Sequence, residues 1–387
     1  MTTGKRALVV TKNDFTAERD GGSKRTAAMV RSLESQGFAV DWIAAKPFTF
    51  SVGQPVEHRR DGVSQLRALG GVLGAASLSA LKWYSPRAVS LIADLCRDRS
   101  YKVAVVDHSQ LGPLGRIVNA TVRCVSTHNV ESELLLNYAM SRPGWLKESL
   151  ARCEARRMRR IERAFVDTFD IVVTVSERDA KAMAADRTNF RAHLVTAPNG
   201  VDESFFQADG TPGDGVVFVG HLGWRPNIDA AVWMAESVWP EVLRVDPRRS
   251  LMMVGKAPGA AVRRLTNENI TVEGDVESVI PYLVSARVAT APLRSAGGTR
   301  IKILEALATG TPVVSTSLGA LGLEHLAGEH LTVVDSPREF AEAILSAASR
   351  ETPRARIRAL VEGYRWTATM LPFISAIESA SGEKALS

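Results

Sequence analysis

The stretch Ala291-Pro-Leu-Arg-Ser-Ala-Gly-Gly-Thr-Arg-Ile-Lys-Ile-Leu-Glu-Ala-Leu-Ala-Thr-Gly-Thr-Pro-Val-Val-Ser315 holds the fold in miniature. It leaves a short apolar strand expected at Val288–Ala291, passes through a glycine-rich loop that opens a helix, and returns in a second strand expected at Val313–Thr316. Strand, helix and strand in this order make a parallel βαβ unit. The alternation extends outward on both sides, with further strands expected at Val216–Gly220, Leu251–Gly255, Ile270–Glu273 and Leu331–Val334. The first half of the chain repeats it, with strands expected at Ala7–Val10, Ala39–Ala44, Val103–Asp107, Val122–Thr127, Ile171–Val175 and His193–Ala197. Helices such as Ser23–Gln36 and Ser176–Ala185 fall between them. Six strands suffice for one doubly wound sheet. The predicted fold class is α/β, with two Rossmann-like doubly wound domains facing a cleft.

Pro198 and Asn199-Gly200 break the alternation, and the Gly/Pro/Asp-rich stretch Asp209 to Gly215 follows. The domain boundary belongs there, giving residues 1–203, 204–365 and a last segment 366–387. The final helix, roughly Trp366 to Ser379, follows another helix without an intervening strand, so it is expected to cross back to the N-terminal domain. A length of 387 residues suits two domains. The 48 Lys+Arg against 42 Asp+Glu leave a charge of +6, which favours anionic ligands but is too small to argue for nucleic acid. Only Cys96, Cys124 and Cys153 occur, without paired spacing, which suits a reducing compartment and no zinc. The polar Met1–Arg6 leads straight into the first strand, and no apolar run reaches the ~20 residues that span a bilayer. A cytoplasmic location is expected.

Two glycine-rich helix starts carry cations where acidic residues would complement the helix dipole. In Asp20-Gly-Gly-Ser-Lys-Arg25 the expected N-cap is Ser23, with Lys24 and Arg25 in the first turn. In Ala296-Gly-Gly-Thr-Arg-Ile-Lys302 it is Thr299, with Arg300 and Lys302 following. Glycines that let a ligand approach backbone N–H groups, a dipole behind them and basic side chains beside them make a phosphate site. Gly21, Gly22, Gly297 and Gly298 are the glycines concerned. The plainer alternative is a pair of tight turns with solvated cations. GxGxxG after the first strand, GxxxxGK[ST], GxSxG and HExxH are all absent, which disfavours a plain dinucleotide oxidoreductase and a P-loop kinase.

These residues resemble the retaining nucleotide-sugar glycosyltransferases of GT-B fold, family 4-like, of the bacterial group 1. The stretch 291–315 is similar to their donor loop, donor helix and following strand. Val217-Phe-Val-Gly-His-Leu-Gly-Trp-Arg-Pro-Asn227, Val173-Thr-Val-Ser-Glu177 and Pro198-Asn-Gly-Val-Asp202 add support. The resemblance implies that the C-terminal domain binds the nucleotide sugar and the N-terminal domain the acceptor. It implies that Glu305 hydrogen-bonds the ribose hydroxyls, a carboxylate being suited to a vicinal diol. The family's first glutamate should stand eight residues earlier, where this chain has Gly297. Arg225 is one candidate for the diphosphate, and the segment ending at Val276 is expected to touch the base through its backbone. His128, at a strand end in Val125-Ser-Thr-His-Asn-Val-Glu131, matches the histidine that reaches the donor sugar, and His108 is the weaker acceptor-side candidate.

The implied reaction transfers a sugar from a nucleotide diphospho-sugar to an acceptor hydroxyl with retention of configuration. No Asp-x-Asp motif is present, so no metal or other cofactor is expected, and Arg300, Lys302 and the helix N-terminus would neutralise the leaving diphosphate. Catalysis is assigned to His128, Arg300 and Lys302. Donor binding is assigned to Gly297, Gly298, Thr299, Glu305, Arg225 and Val276. The acceptor side is assigned to Gly21, Gly22, Lys24, Arg25 and His108. Two rivals stay open, a nucleotide-sugar epimerase on the same fold and a non-catalytic GT-B partner subunit. The acceptor is either a soluble metabolite or saccharide, or a lipid-linked glycan at the inner face of the membrane. The lipid option rests on the apolar Ala68 to Leu81, which ends in Lys82-Trp83-Tyr84, and on the cluster Arg156, Arg157, Arg159 and Arg160. A buried helix and a solvated helix face would read the same way.

Overall fold

The structure, a computed structural model, describes residues 5–12, 15–17, 21–46, 49–52, 77–83, 86–140, 145–185, 189–295, 301–351 and 353–386. The chain divides into two compact units, residues 1–199 with 369–387, and residues 200–368.

The first unit is built on β1 (Arg6–Thr11), β2 (Ala39–Lys46), β3 (Thr49–Val52), β4 (Tyr101–Asp107), β5 (Ala120–Ser126), β6 (Ile171–Thr174) and β7 (His193–Thr196). Their order in the sheet is β3-β2-β1-β4-β5-β6-β7. Every pairing is parallel except that of β3 with β2. The edge strand β3 is not anticipated by the sequence, because four residues of Thr-Phe-Ser-Val carry too little pattern to stand apart from a loop. β4 is buried along its length except at Lys102, as expected where helices cover both faces of a parallel sheet. The helix α1 (Gly21–Ser35) lies between β1 and β2. Farther along come α2 (Glu131–Met140) and α3 (Trp145–Arg163).

The second unit holds β8 (Val216–Val219), β9 (Leu251–Gly255), β10 (Ile270–Gly274), β11 (Val288–Ala291), β12 (Val313–Ser315) and β13 (Leu331–Val333). Their order is β10-β9-β8-β11-β12-β13, all parallel. Alternate residues of β8 enter two cores, as the two-residue strand period requires. Val216 and Phe218 pack with Trp233, Trp239 and Phe340, while Val217 joins Leu304 and Leu307. Two helices frame the region of interest, α4 (Arg225–Trp233) after β8 and α5 (Ile301–Ala308) after β11. The last helix of the chain, α6 (Leu371–Leu386), packs on β5, β6 and β7 of the first unit.

Each sheet grows from a central strand first to one side and then to the other. The chain therefore reverses its order between β1 and β4, and again between β8 and β11. Open α/β sheets place ligands outside the carboxyl ends of the strands at such switch points.

Candidate active site

At the first switch point β1 pairs with β4, and β4 pairs with β5 so that Asp107 lies opposite Ser126. Thr11, Asp107 and His128 thus meet at one sheet edge. Asp107 is fully buried. Its Oδ2 accepts the hydroxyls of Thr26 at 2.6 Å and Thr11 at 3.1 Å. Its Oδ1 accepts Nε2–H of His128 at 2.7 Å. Nδ1 of His108 lies 2.7 Å from the Asp107 backbone oxygen and 3.2 Å from Oδ2, and because a carbonyl only accepts, that nitrogen carries the proton. The two imidazoles stack at 3.8 Å.

His108 has φ 92°, a conformation uncommon for a residue other than glycine, and its N–H is held by Ser126 O at 2.7 Å. Backbone strain of this kind persists where the surroundings over-determine it, and it concentrates at functional sites. Burial pushes the His108 imidazole down to about 3, and the nearby His128 adds to this, so His108 is neutral over the physiological range. Burial alone would raise Asp107, but His128 and His108 hold its carboxyl well below the usual range. The result is a permanent carboxylate that fixes one imidazole by each oxygen. Asp107, His108 and His128 also offer donor atoms within 4.8 Å of one another, a set able to hold a metal ion.

The expected phosphate loop of this unit differs in register. The helix α1 begins at Gly21, two residues earlier than read from the sequence, so Ser23 is its third residue, buried, and does not cap it. Arg25 becomes the fifth helical residue and is wholly buried. Its Nη1 donates to Ala197 O at 2.8 Å and Asn199 Oδ1 at 3.1 Å, tying α1 to the segment after β7. Burial pushes its guanidinium down to about 10, with the charge of Asp107 opposing the shift. Arg25 is therefore buried within the field of Asp107, with its Nε and Nη2 without hydrogen-bond partners among the described residues. Gly21, Gly22 and Lys24 are half-buried at the helix start.

Beside the second switch point the ends of β8 and β9 approach so closely that a Cβ on Gly255, φ 154°, would stand 1.7 Å from Gly220 O. Only glycine fits there. Lys302, in the first turn of α5, donates to Asn227 Oδ1 at 2.9 Å, and its Nζ lies 4.8 Å from the centre of the Phe218 ring. Asn227 in turn donates through Nδ2 to His221 O at 3.0 Å. The ammonium is thus held by an amide and an aromatic face. Glu305, on the next turn of α5, is buried. Arg225 is exposed as the first residue of α4, and Val276 is half-buried after a turn in which Asp275 Oδ1 accepts Ala257 N–H at 2.9 Å.

Gly297, Gly298, Thr299 and Arg300 lie outside the described residues, so the expected donor loop is represented by Lys302 and Glu305. Four site residues escape the sequence reading: Asp107, Thr11, Thr26 and Asn227. The signal for Asp107 is an acidic residue closing an otherwise apolar strand. Of the apolar Ala68 to Leu81, residues 68–76 lie outside the described residues. The rest is packed, with Ser77 Oγ donating to Glu154 Oε1 at 2.6 Å. Among the described residues no helix is long and apolar enough to cross a membrane.

The glycosyl transferase 4-like domain matches residues 20–200, and the glycosyl transferases group 1 domain matches residues 213–350. The chain belongs to the group 1 glycosyltransferases. The phosphatidyl-myo-inositol mannosyltransferase of Mycobacterium tuberculosis is 29% identical to it over 212 residues, 49% of this chain and 55% of that protein. An uncharacterized 44.6 kDa protein in the cps region of Klebsiella pneumoniae is 25% identical over 140 residues, 34% of this chain and 36% of that one. The chain therefore spans about a third to just over half the length of the curated relatives it matches. Sucrose-phosphate synthase from Thermosynechococcus elongatus has a similar structure, with TM-score 0.64, 18% identity and coverage of 98% of this chain and 100% of that one. WaaG, a glycosyltransferase involved in lipopolysaccharide biosynthesis, gives 0.58 at 15% identity, covering 98% and 99%. These likenesses show the fold, which is GT-B.

Proposed function

We propose that this glycosyltransferase moves a sugar from a nucleotide diphospho-sugar to an acceptor hydroxyl, with retention of configuration and without a metal ion. The observation that carries the reading is Lys302, held by Asn227 and the Phe218 ring at the β8/β11 switch point. A cation fixed there before the reaction needs no reorganisation when the diphosphate gains charge, and such preorganised charge is the main source of acceleration open to a transfer of this kind. Arg300 stands two residues before it in the chain and supplies a second positive charge. Glu305 takes the ribose hydroxyls.

In the transfer the bond between the anomeric carbon and the diphosphate oxygen breaks, its electron pair leaving with the phosphate. The acceptor oxygen forms the new bond, and its proton passes to the leaving phosphate oxygen. The carbon traverses an oxocarbenium-like state, and no protein nucleophile is needed. His128, its Nε2–H committed to Asp107, positions a hydroxyl of the transferred sugar. Asp107 accepts hydrogen bonds from Thr11, Thr26 and His128, which supports a positioning role for this cluster over metal binding. The names of the mannosyltransferase and of WaaG, which concern a phosphatidylinositol and lipopolysaccharide, support a lipid-linked acceptor.

The test is release of nucleoside diphosphate from UDP-, GDP-, dTDP- and ADP-sugars with EDTA present, followed by anomeric analysis of the product. Turnover of one donor class with retained configuration is expected. Conversion of the sugar nucleotide with no acceptor present would reveal an epimerase. Activity that depends on added manganese or magnesium would remove the metal-free mechanism.

A further inference from the structure

The first unit carries a partly open cavity of about 420 Å³, within the roughly 300–1,000 Å³ of small-molecule sites. Its lining is mixed. Leu111 and Leu114 come from the 3₁₀ helix Ser109–Arg116, and Trp83, Phe165 and Phe169 add three aromatic side chains. This geometry is tight: a Cβ on Gly112 or Gly115 would stand 2.2 Å from the Phe165 or Phe169 ring. Three guanidinium groups, those of Arg116, Arg157 and Arg160, also line the cavity, and no carboxylate does among the described residues. Trp83 Nε1 is buried with no hydrogen-bond partner among the described residues.

The cavity is linked to the cluster through the 3₁₀ helix. His108 immediately precedes the 3₁₀ helix, and Gln110, which lines the cavity, accepts Lys12 Nζ at 3.5 Å. Lys12 follows Thr11, one of the donors to Asp107. A free inorganic anion has no use for five apolar side chains, and a purely apolar occupant has none for three arginines. Guanidinium groups pair with phosphate through two parallel hydrogen bonds and tolerate partial burial better than ammonium groups.

We propose that this cavity takes the aliphatic chain of a phosphorylated amphiphile, with the arginines holding its phosphate, and that amphiphiles of this class are the acceptors. The second clause rests on the glycosyltransfer reading; the binding itself does not. The experiment is titration calorimetry of the full-length protein with dodecyl phosphate below its micelle threshold, dodecyl maltoside and inorganic phosphate. Dodecyl phosphate should bind about tenfold or more tightly than either of the others. The double variant Arg116→Glu/Arg160→Glu, both positions being exposed, should retain its circular dichroism and lose about tenfold of that affinity. Equal binding of inorganic phosphate would reduce the cavity to a surface anion site, and equal binding of the maltoside to an unselective apolar one. Unchanged affinity in the double variant would also overturn the proposal. Because no turnover is read, failure here leaves the transferase reading standing, and absent turnover with intact selective binding would fall on that reading alone.

Discussion

The two switch points share a topology and differ in chemistry. At β1/β4 a buried carboxylate gathers four donors, one of them a neutral strained histidine, and a buried arginine nearby bonds to the segment after β7. At β8/β11 a half-buried lysine is steadied by an amide and a ring, beside the close approach of β8 and β9 at Gly220 and Gly255. The first arrangement stores its charge inside the fold; in the proposed reaction the second meets the diphosphate. Substitutions at the two places should therefore separate stability from activity.

The largest effect is expected at Asp107. Asp107→Ala removes a charge that favours the buried Arg25 guanidinium and strips both histidines and two hydroxyls of their acceptor. Removing one partner of a buried charged network costs about 3–5 kcal/mol, so urea unfolding should shift by that much and transfer should be lost with it. Lys302→Ala should behave in the opposite sense. It should lower kcat/KM by about a hundredfold, ~2.7 kcal/mol of transition-state stabilisation, while unfolding moves by less than about 1 kcal/mol. If the two variants lose stability equally, the contrast between a structural and a ligand-facing site is broken.

The same contrast explains what is legible in the sequence. The strands anticipated from apolar runs lie close to their expected bounds because parallel strands buried on both faces must be apolar throughout; β3, a short antiparallel edge, has no such requirement. Lys302 and Glu305 stand out because a glycine-rich helix start imposes a local pattern. Asp107 and Asn227 do not, because their importance comes from partners distant in sequence, Thr11 and Thr26 in one case and Lys302 in the other. The burial of Arg25 escapes the sequence for a related reason. Its glycine-rich stretch resembles that of the second unit, yet a start two residues earlier makes it the fifth helical residue, fully buried, a difference set by packing that a local motif does not encode.

The smallest expected effect sharpens the picture of the first unit. Glu162 of α3 is buried and accepts the Glu131 and Ser132 N–H groups at the start of α2, at 2.7 and 3.3 Å. Burial pushes its carboxyl up to about 7 despite these bonds. A raised folded value means that its stabilising contribution is complete below its ordinary 4.5 and is lost as pH rises through 7. His108 acts in the reverse direction. Its folded value of about 3 lies below the ordinary 6.5, so its contribution is complete above 6.5 and is lost as pH falls. At about 1.4 kcal/mol per unit, the two nearly cancel between pH 7 and 5, and these groups leave the wild-type protein about equally stable at both. Glu162→Gln keeps an acceptor oxygen for the helix start and removes one side of the balance. The variant should then lose roughly 2 kcal/mol between pH 7 and pH 5 in urea unfolding, with the loss confined to amides of the first unit in hydrogen exchange. A variant as insensitive to pH as the wild type would show that His108 is not held neutral by the cluster, and with that the internal storage of charge at β1/β4 would fail.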